Sequence, residues 1–318
     1  MLRETVVTVD DLVAPLFVTD GTGVREPIDS MPGQFRWSID LAIEECRALH
    51  ELGVPAIALF PAIDASLKNP KATEALNPDG LYPNAIRAIK DGCPDLVLIS
   101  DIALDPYSSD GHDGLVVDGE IDNDATLPVL ADMAVLHGRA GADFVGPSDM
   151  MDGRVAAIRE RLDAEGLPQV GIVAYSAKYA SALYGPFREA LASAPAVREG
   201  IPRDKRTYQL DPANVREAVR EAALDIEEGA DIVLVKPGLP YLDVIRSLHD
   251  RFPDIPIAVY NVSGEYAMVK AAAANGWLDE RSVVIETLTA FKRAGADLIL
   301  TYHAKDVAGW LRDGAPQH

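Results

Sequence analysis

Two lysines stand at the ends of apolar, strand-like runs, where an amine can be lifted out of water. Lys236 closes Asp231-Ile-Val-Leu-Val-Lys236-Pro-Gly, and Lys178 follows Val170-Gly-Ile-Val-Ala-Tyr-Ser-Ala. Burial disfavours an ammonium, and a second ammonium a few ångströms away disfavours it further by repulsion. An ordinary lysine titrates near pH ~10.4, whereas a useful nucleophile must be brought down to about 7–8. Such an amine attacks a carbonyl carbon to form a Schiff base, and two of them in one site suit condensation of two carbonyl substrates. The bland alternative is a pair of loop lysines with solvated heads. Their similar settings argue against it, as does the scarcity of lysine: nine, against twenty arginines.

A second constellation is Asp101-Ile-Ala-Leu-Asp105-Pro-Tyr-Ser-Ser-Asp110-Gly-His112-Asp113-Gly. Its oxygen-rich composition suits Mg²⁺ or Ca²⁺ better than Zn²⁺. A helix–loop–helix calcium site is rejected, because Ser109 and Gly111 fall at its first and third ligand positions. A metal-dependent hydrolase using Asp105, Asp110, His112 and Asp113 is one alternative, and a solvated Asp/Gly turn is another. His112 and His303 are candidate bases, although a lone histidine more often serves as a structural hydrogen-bonder.

The elements that must position these groups are short β-type runs alternating with amphipathic helices. Strands are expected near Val13–Val18, Ala56–Phe60, Leu96–Asp101, Asp143–Val145, Val170–Tyr175, Ile232–Val235, Ile257–Asn261 and Leu298–Thr301. Most are apolar on both faces, as buried parallel strands are. Ser38 is the expected cap of a helix through Leu49 that stops at Gly53. Asp211-Pro212 reads as an N-cap with proline at the first helical position, with Val215, Val219, Ala222 and Ile226 facing inward. Eight such units imply a (β/α)₈ TIM barrel, in which Asp101, Ser148, Lys178, Lys236, Ser263 and Tyr302 converge on one mouth. A doubly wound sheet is disfavoured by the lack of a glycine fingerprint after the first strand. No internal repeat or linker is evident, so residues 1–318 read as one domain. Residues 183–208, rich in Gly, Pro and charge, make a long connection that suits an active-site lid.

Composition sets outer bounds. With 48% hydrophobic and 25% charged residues the chain is a folded globular one, and a net charge of −21 disfavours nucleic acid or an anionic membrane as partner. Cys46 and Cys93 make neither a disulfide framework nor a thiolate metal site. No signal peptide or membrane-spanning run is apparent, so the cytoplasm is the expected location.

Longer matches are more specific. Pro15-Leu-Phe-Val18, Arg25-Glu-Pro27, Ser30-Met-Pro-Gly33, Pro147-Ser-Asp-Met-Met-Asp-Gly-Arg154, Tyr184-Gly-Pro-Phe-Arg188, Tyr208-Gln-Leu-Asp-Pro-Ala-Asn214 and Val235-Lys-Pro-Gly-Leu-Pro-Tyr241 resemble the porphobilinogen synthase (δ-aminolevulinic acid dehydratase) family from about Asp11 to Trp310. The resemblance implies a hydro-lyase of tetrapyrrole and haem biosynthesis that condenses two 5-aminolevulinate molecules, with loss of two waters and no organic cofactor. It implies that Lys236 forms the imine with the propionate-side substrate, that Lys178 holds the acetate-side one as an imine or its close amine precursor, and that Asp101 is a polar active-site residue. Ser263 and Tyr302 match the partners of one carboxylate. Arg188, Lys205 and Gln209 match those of the other, and Tyr184 and Phe187 match lid residues.

Zinc-dependent members carry three cysteines where this chain has Ala103, Asp105 and Asp113, so catalytic Zn²⁺ is not expected. The part of a zinc-bound water then falls to Mg²⁺, to another group or to nothing; the candidate positions are those aspartates and Glu221, which matches a carboxylate of an allosteric magnesium site. The expected arm before the barrel is short, residues 1–10, which leaves an octamer, a hexamer or a dimer as the homo-oligomer. Two competing functions are another class I Schiff-base aldolase, which needs only one lysine, and a catalytically degenerate scaffold homologue.

Overall fold

Eight parallel strands close on themselves in the computed structural model, which describes residues 2–314. Met1 of the expected arm and residues 315–318 lie outside the described residues. The strands are Leu12–Val18, Ala56–Pro61, Val97–Ile102, Phe144–Pro147, Gly171–Lys178, Ile232–Lys236, Ile257–Asn261 and Leu298–Thr301. Each pairs with the next, and closure comes from Leu12 opposite Ile299 and Val13 opposite Leu300. This is the (β/α)₈ barrel. Among the described residues no helix is long and apolar enough to cross a membrane.

Alternation along each strand divides the apolar residues into two sets. Val13, Phe17, Ala58, Phe60, Ile99, Tyr175, Leu234, Tyr260 and Leu300 share one cluster that fills the barrel. Leu12, Leu16, Ile57, Leu98, Ile172, Val233 and Val259 belong to the layer beneath the helices. The same parity carries the chemistry inward, because two residues beyond Ile99, Leu234 and Leu300 come Asp101, Lys236 and Tyr302.

Helix boundaries depart from the sequence reading in two places. The Asp211-Pro212 start is corrected: the helix is Arg216–Glu227, and the Asp211 carboxylate instead accepts the Ala213 N–H in a preceding turn. The helix expected after Ser38 is present as Ile39–Glu51, but the Ser38 hydroxyl accepts the Val24 N–H rather than capping it. That contact ties the helix to a small hairpin, Arg25–Pro27 with Phe35–Trp37, which also pairs with the first barrel strand.

A repeat that the sequence reading missed stabilises the end of the barrel where the strands begin. Gly-Ala-Asp occurs at Gly141, Gly229 and Gly295, each glycine just after a helix with φ between 105° and 115°. There the left-handed conformation requires glycine. Each following aspartate then grips one residue of the preceding strand twice. Asp143, Asp231 and Asp297 donate their N–H to the carbonyls of Leu98, Ile172 and Ile257. Their carboxylates accept the N–H of those same residues at 2.8, 2.8 and 2.9 Å. Asp231→Ala is expected to lower unfolding free energy by about 1 kcal/mol, the usual worth of such a bond. Urea denaturation would read this as a lower midpoint; an unchanged midpoint would mean that water replaces the carboxylate without cost.

Candidate active site

Lys178 and Lys236 are neighbours across one parallel ladder, at a register fixed by an irregularity. Val233 lies opposite Ala174, but Val235 lies opposite Ala177, so the strand bearing Lys178 contains one extra residue. Without that bulge Lys236 would face Ala177, and Lys178 would turn to the other side of the sheet. With it, Lys178 and Lys236 occupy the same rung and the same face. Both end their strands; the shorter Val170–Tyr175 expectation is extended through Lys178.

The two amines have different surroundings. Lys178 donates to the Ser148 carbonyl and lies 3.7 Å from the Asp113 carboxylate. Lys236 instead faces four aromatic rings. Burial and then the Lys178 ammonium bring its pKa down to about 7, with Asp101, Asp105 and Asp113 opposing. Burial thus activates Lys236, and the neighbouring Lys178 ammonium adds to it. Asp101 rises to about 7 because it is buried and lies near Asp105, against the pull of Lys178. One Asp101 carboxylate oxygen is buried with no hydrogen-bond partner among the described residues.

Asp105 and Asp113 converge on a third ammonium. Lys205 Nζ donates to Asp105 at 3.0 Å and to Asp113 at 2.9 Å, all three side chains being buried. Burial favours the neutral acid, but the ammoniums of Lys178 and Lys205 hold the Asp113 carboxyl well below its ordinary range. Expected as a partner of the acetate-side carboxylate, Lys205 spends two of its three N–H donors on these aspartates. The aspartate pair does not fit a metal in this arrangement: with Ala103 in place of a ligand, its counter-charge is already supplied by an ammonium.

Residues 183–208 bring Tyr184 and Phe187 to Lys236, and Lys205 to Asp105 and Asp113. A short helix, Gly185–Leu191, brings Phe187 to Lys236, and the Phe187 N–H donates to the Ser263 hydroxyl at 3.0 Å. The Tyr184 hydroxyl contacts the carbonyls of Tyr179 and Lys236 at 2.7 and 3.1 Å. Cations from two barrel loops bind the carbonyls at the helix's C-terminal end. Arg36 takes those of Glu189 and Ala190, and Lys68 those of Leu191 and Ala192. This is the end of a helix that attracts positive charge. Further along, Arg198 pairs with Asp110, and His112 contacts the Tyr208 hydroxyl and the Pro202 carbonyl at 3.0 and 2.8 Å.

Among the carboxylate-binding expectations, Arg188 is half-buried on the short helix and makes no ion pair among the described residues. Gln209 is buried beside the Lys205 loop, its N–H on the Lys205 carbonyl. Tyr302 is buried at the opposite side, its hydroxyl 3.0 Å from that of Tyr260. Gln34, which the sequence reading overlooked, donates to the Tyr302 carbonyl from the small hairpin. Tyr175 and Tyr260 were missed as site residues too; their inward parity was the available signal.

Glu221 lies on Arg216–Glu227, away from the lysine cluster. Burial and the neighbouring Asp225 raise its pKa, and Asp152 and Glu217 add negative charge. Arg154 opposes that charge, and among the described residues Glu221 joins no group of acids close enough together to share a metal ion. The candidate bases fare no better: His112 serves as a pin, and burial brings His303 down to about 3. Glu280, His303 and Asp306 converge closely, but Lys270 already pairs with both acids.

Known proteins resemble this chain over nearly its whole length. The family model for delta-aminolevulinic acid dehydratase matches residues 1–310. The enzyme of that name from Bradyrhizobium diazoefficiens is 55% identical over 98% of this chain and 87% of its own length. That of Synechococcus elongatus is 50% identical, over 98% and 94%. A solved structure of the Toxoplasma gondii enzyme, in complex with the reaction product porphobilinogen, superposes with a TM-score of 0.95. It is 51% identical, covering 98% of this chain and 88% of that one. The chain belongs to the delta-aminolevulinic acid dehydratase family.

Proposed function

We propose that this chain is a porphobilinogen synthase, a hydro-lyase joining two 5-aminolevulinate molecules with loss of two waters. The observation that carries the reading is the shared rung of Lys178 and Lys236, one amine ion-paired and the other brought down to about 7. A single-imine aldolase needs no second lysine there.

In this reading the Lys236 amine attacks the ketone of one substrate, and the carbonyl oxygen leaves as water. Asp101, titrating near the same pH, gives and takes the protons. Lys178, 3.7 Å from the Asp113 carboxylate, holds the second substrate as an imine once it has given up its proton. Arg188, with Lys205's remaining N–H and Gln209, receives the acetate-side carboxylate. Ser263 and Tyr302 receive the propionate-side one. Tyr184 and Phe187 close over both as part of a lid, residues 183–208, and water is excluded as it closes.

The chemistry is zinc-independent in this proposal. The absence of cysteine at 103, 105 and 113 supports it, as does the ammonium between the two aspartates. Any Mg²⁺ is placed at Glu221, outside the reacting centre, where a neighbouring copy of the chain would have to complete its ligands. Met268, Trp277 and Leu278 are exposed apolar side chains near one another in sequence. Their exposure supports burial against another copy of the chain in a homo-oligomer. Both cysteines are buried and free, which accords with a reducing compartment, and we place the protein in the cytoplasm.

Borohydride reduction with 5-aminolevulinate should attach substrate to Lys236, and Lys236→Ala should abolish porphobilinogen formation. Because the attacking form is the neutral amine, initial imine formation should fall as pH drops through about 7. Substrate trapped elsewhere, or a rate indifferent to pH between about 5 and 8, would overturn the assignment. A zinc-selective chelator should leave turnover intact; its loss, restored by added zinc, would refute zinc independence.

A further inference from the structure

The Lys236 nitrogen sits within an aromatic enclosure. Ring centroids of Tyr260, Phe187, Tyr175 and Tyr184 lie 4.4, 4.9, 5.3 and 5.3 Å from Nζ. Two of the rings are carried by barrel strands. Tyr175 belongs to Gly171–Lys178 and Tyr260 to Ile257–Asn261, and both are buried. The other two come with residues 183–208, so half of the enclosure is supplied by the covering segment. Phe187 is fixed there by edge-on packing against Phe60 at 5.1 Å and by its N–H bond to Ser263.

Aromatic faces attract cations, most strongly where water is excluded. An ammonium nonetheless loses by entering such a place, because its compact charge gives up strong hydration. A protonated imine spreads its charge over nitrogen and carbon and gives up less. Imine formation creates that cation here. The Nζ lone pair makes the bond to the ketone carbon, and the oxygen departs as water with one proton from the amine and one from a neighbouring acid. The double bond is left with a single positive charge and a hydrogen on nitrogen.

We propose that Tyr175, Tyr184, Phe187 and Tyr260 form a cation–π cage selecting the protonated imine of Lys236, completed when Phe187 closes over it. The inference rests on the Schiff-base reading above. It assigns the rings an electrostatic part in the reaction, beyond excluding water, and couples imine stability to the covering segment. Ser263 joins the two functions, since the hydroxyl that anchors Phe187 belongs to a residue proposed to bind the substrate carboxylate.

The test replaces Phe187 with phenylalanines carrying one, two and three ring fluorines, and with cyclohexylalanine, which has similar bulk and no π face. Levulinate, a ketone with a carboxylate and no amine, is the probe, and cyanoborohydride reduction followed by peptide mapping reads the imine on Lys236. The imine equilibrium constant should fall progressively with fluorination, by about tenfold overall, and fall at least as far with cyclohexylalanine. Equal trapping across the fluorinated series, within a factor of about two, would overturn the cage while leaving the Schiff base intact. Absence of trapping in the unmodified protein would overturn the Schiff-base reading and the cage together. Thermal melting of each variant separates these effects from loss of fold.

Discussion

Repulsion between two amines held on one rung of a buried sheet is the constraint on which the site depends. Like charges at that spacing, out of water, cannot both persist cheaply. The surroundings decide which keeps its proton. Asp113 and the Ser148 carbonyl attend Lys178, whereas Lys236 has aromatic faces and, among the described residues, no carboxylate in direct contact. The Ser148 loop is itself braced from below. Arg154 pairs with Asp225 at 3.1 Å and donates to the Tyr175 carbonyl at 3.2 Å, tying that loop to the bulged strand. The asymmetry between the lysines is therefore built into the scaffold before any substrate arrives.

The same economy of charge governs the aspartates. Three buried carboxyls, Asp101, Asp105 and Asp113, share their neighbourhood with Lys178, Lys205 and Lys236. Asp105 and Asp113 are satisfied by Lys205, and Asp113 also faces Lys178. Asp101 is pushed up to about 7 and Lys236 is brought down to about 7, each within the other's field. Acid and base with matched affinity for a proton can exchange it at little cost, which is what reversible imine chemistry asks of them.

Much of this was legible in the chain, and the omissions have physical causes. Eight apolar runs separated by helical periods were enough for the barrel, because fully buried parallel strands leave a strong local signature. Asp101, Lys236 and Tyr302 followed from their place at strand ends. The bulge opposite Leu234 was not legible, since it exists only relative to a neighbouring strand, and it alone decides the face on which Lys178 emerges. Lys205 illustrates the same limit: its partners at 105 and 113 are roughly a hundred positions away in sequence. Asp211-Pro212 misled because a local turn competed successfully with helix initiation. The Gly-Ala-Asp repeat was visible and went unread, its spacing being set by whole βα units rather than by any short period.

The central claim is that Lys236 is a poised amine because it is buried and because the Lys178 ammonium lies beside it. Competitive labelling of Lys236 with a trace amine-reactive reagent, followed across pH by mass spectrometry, measures its proton affinity directly. The account predicts half-titration near 7 in the unmodified protein. It predicts an upward movement in Lys178→Met, where the neighbouring ammonium is gone. Titration at the ordinary lysine value, or a midpoint unmoved by Lys178→Met, would contradict it.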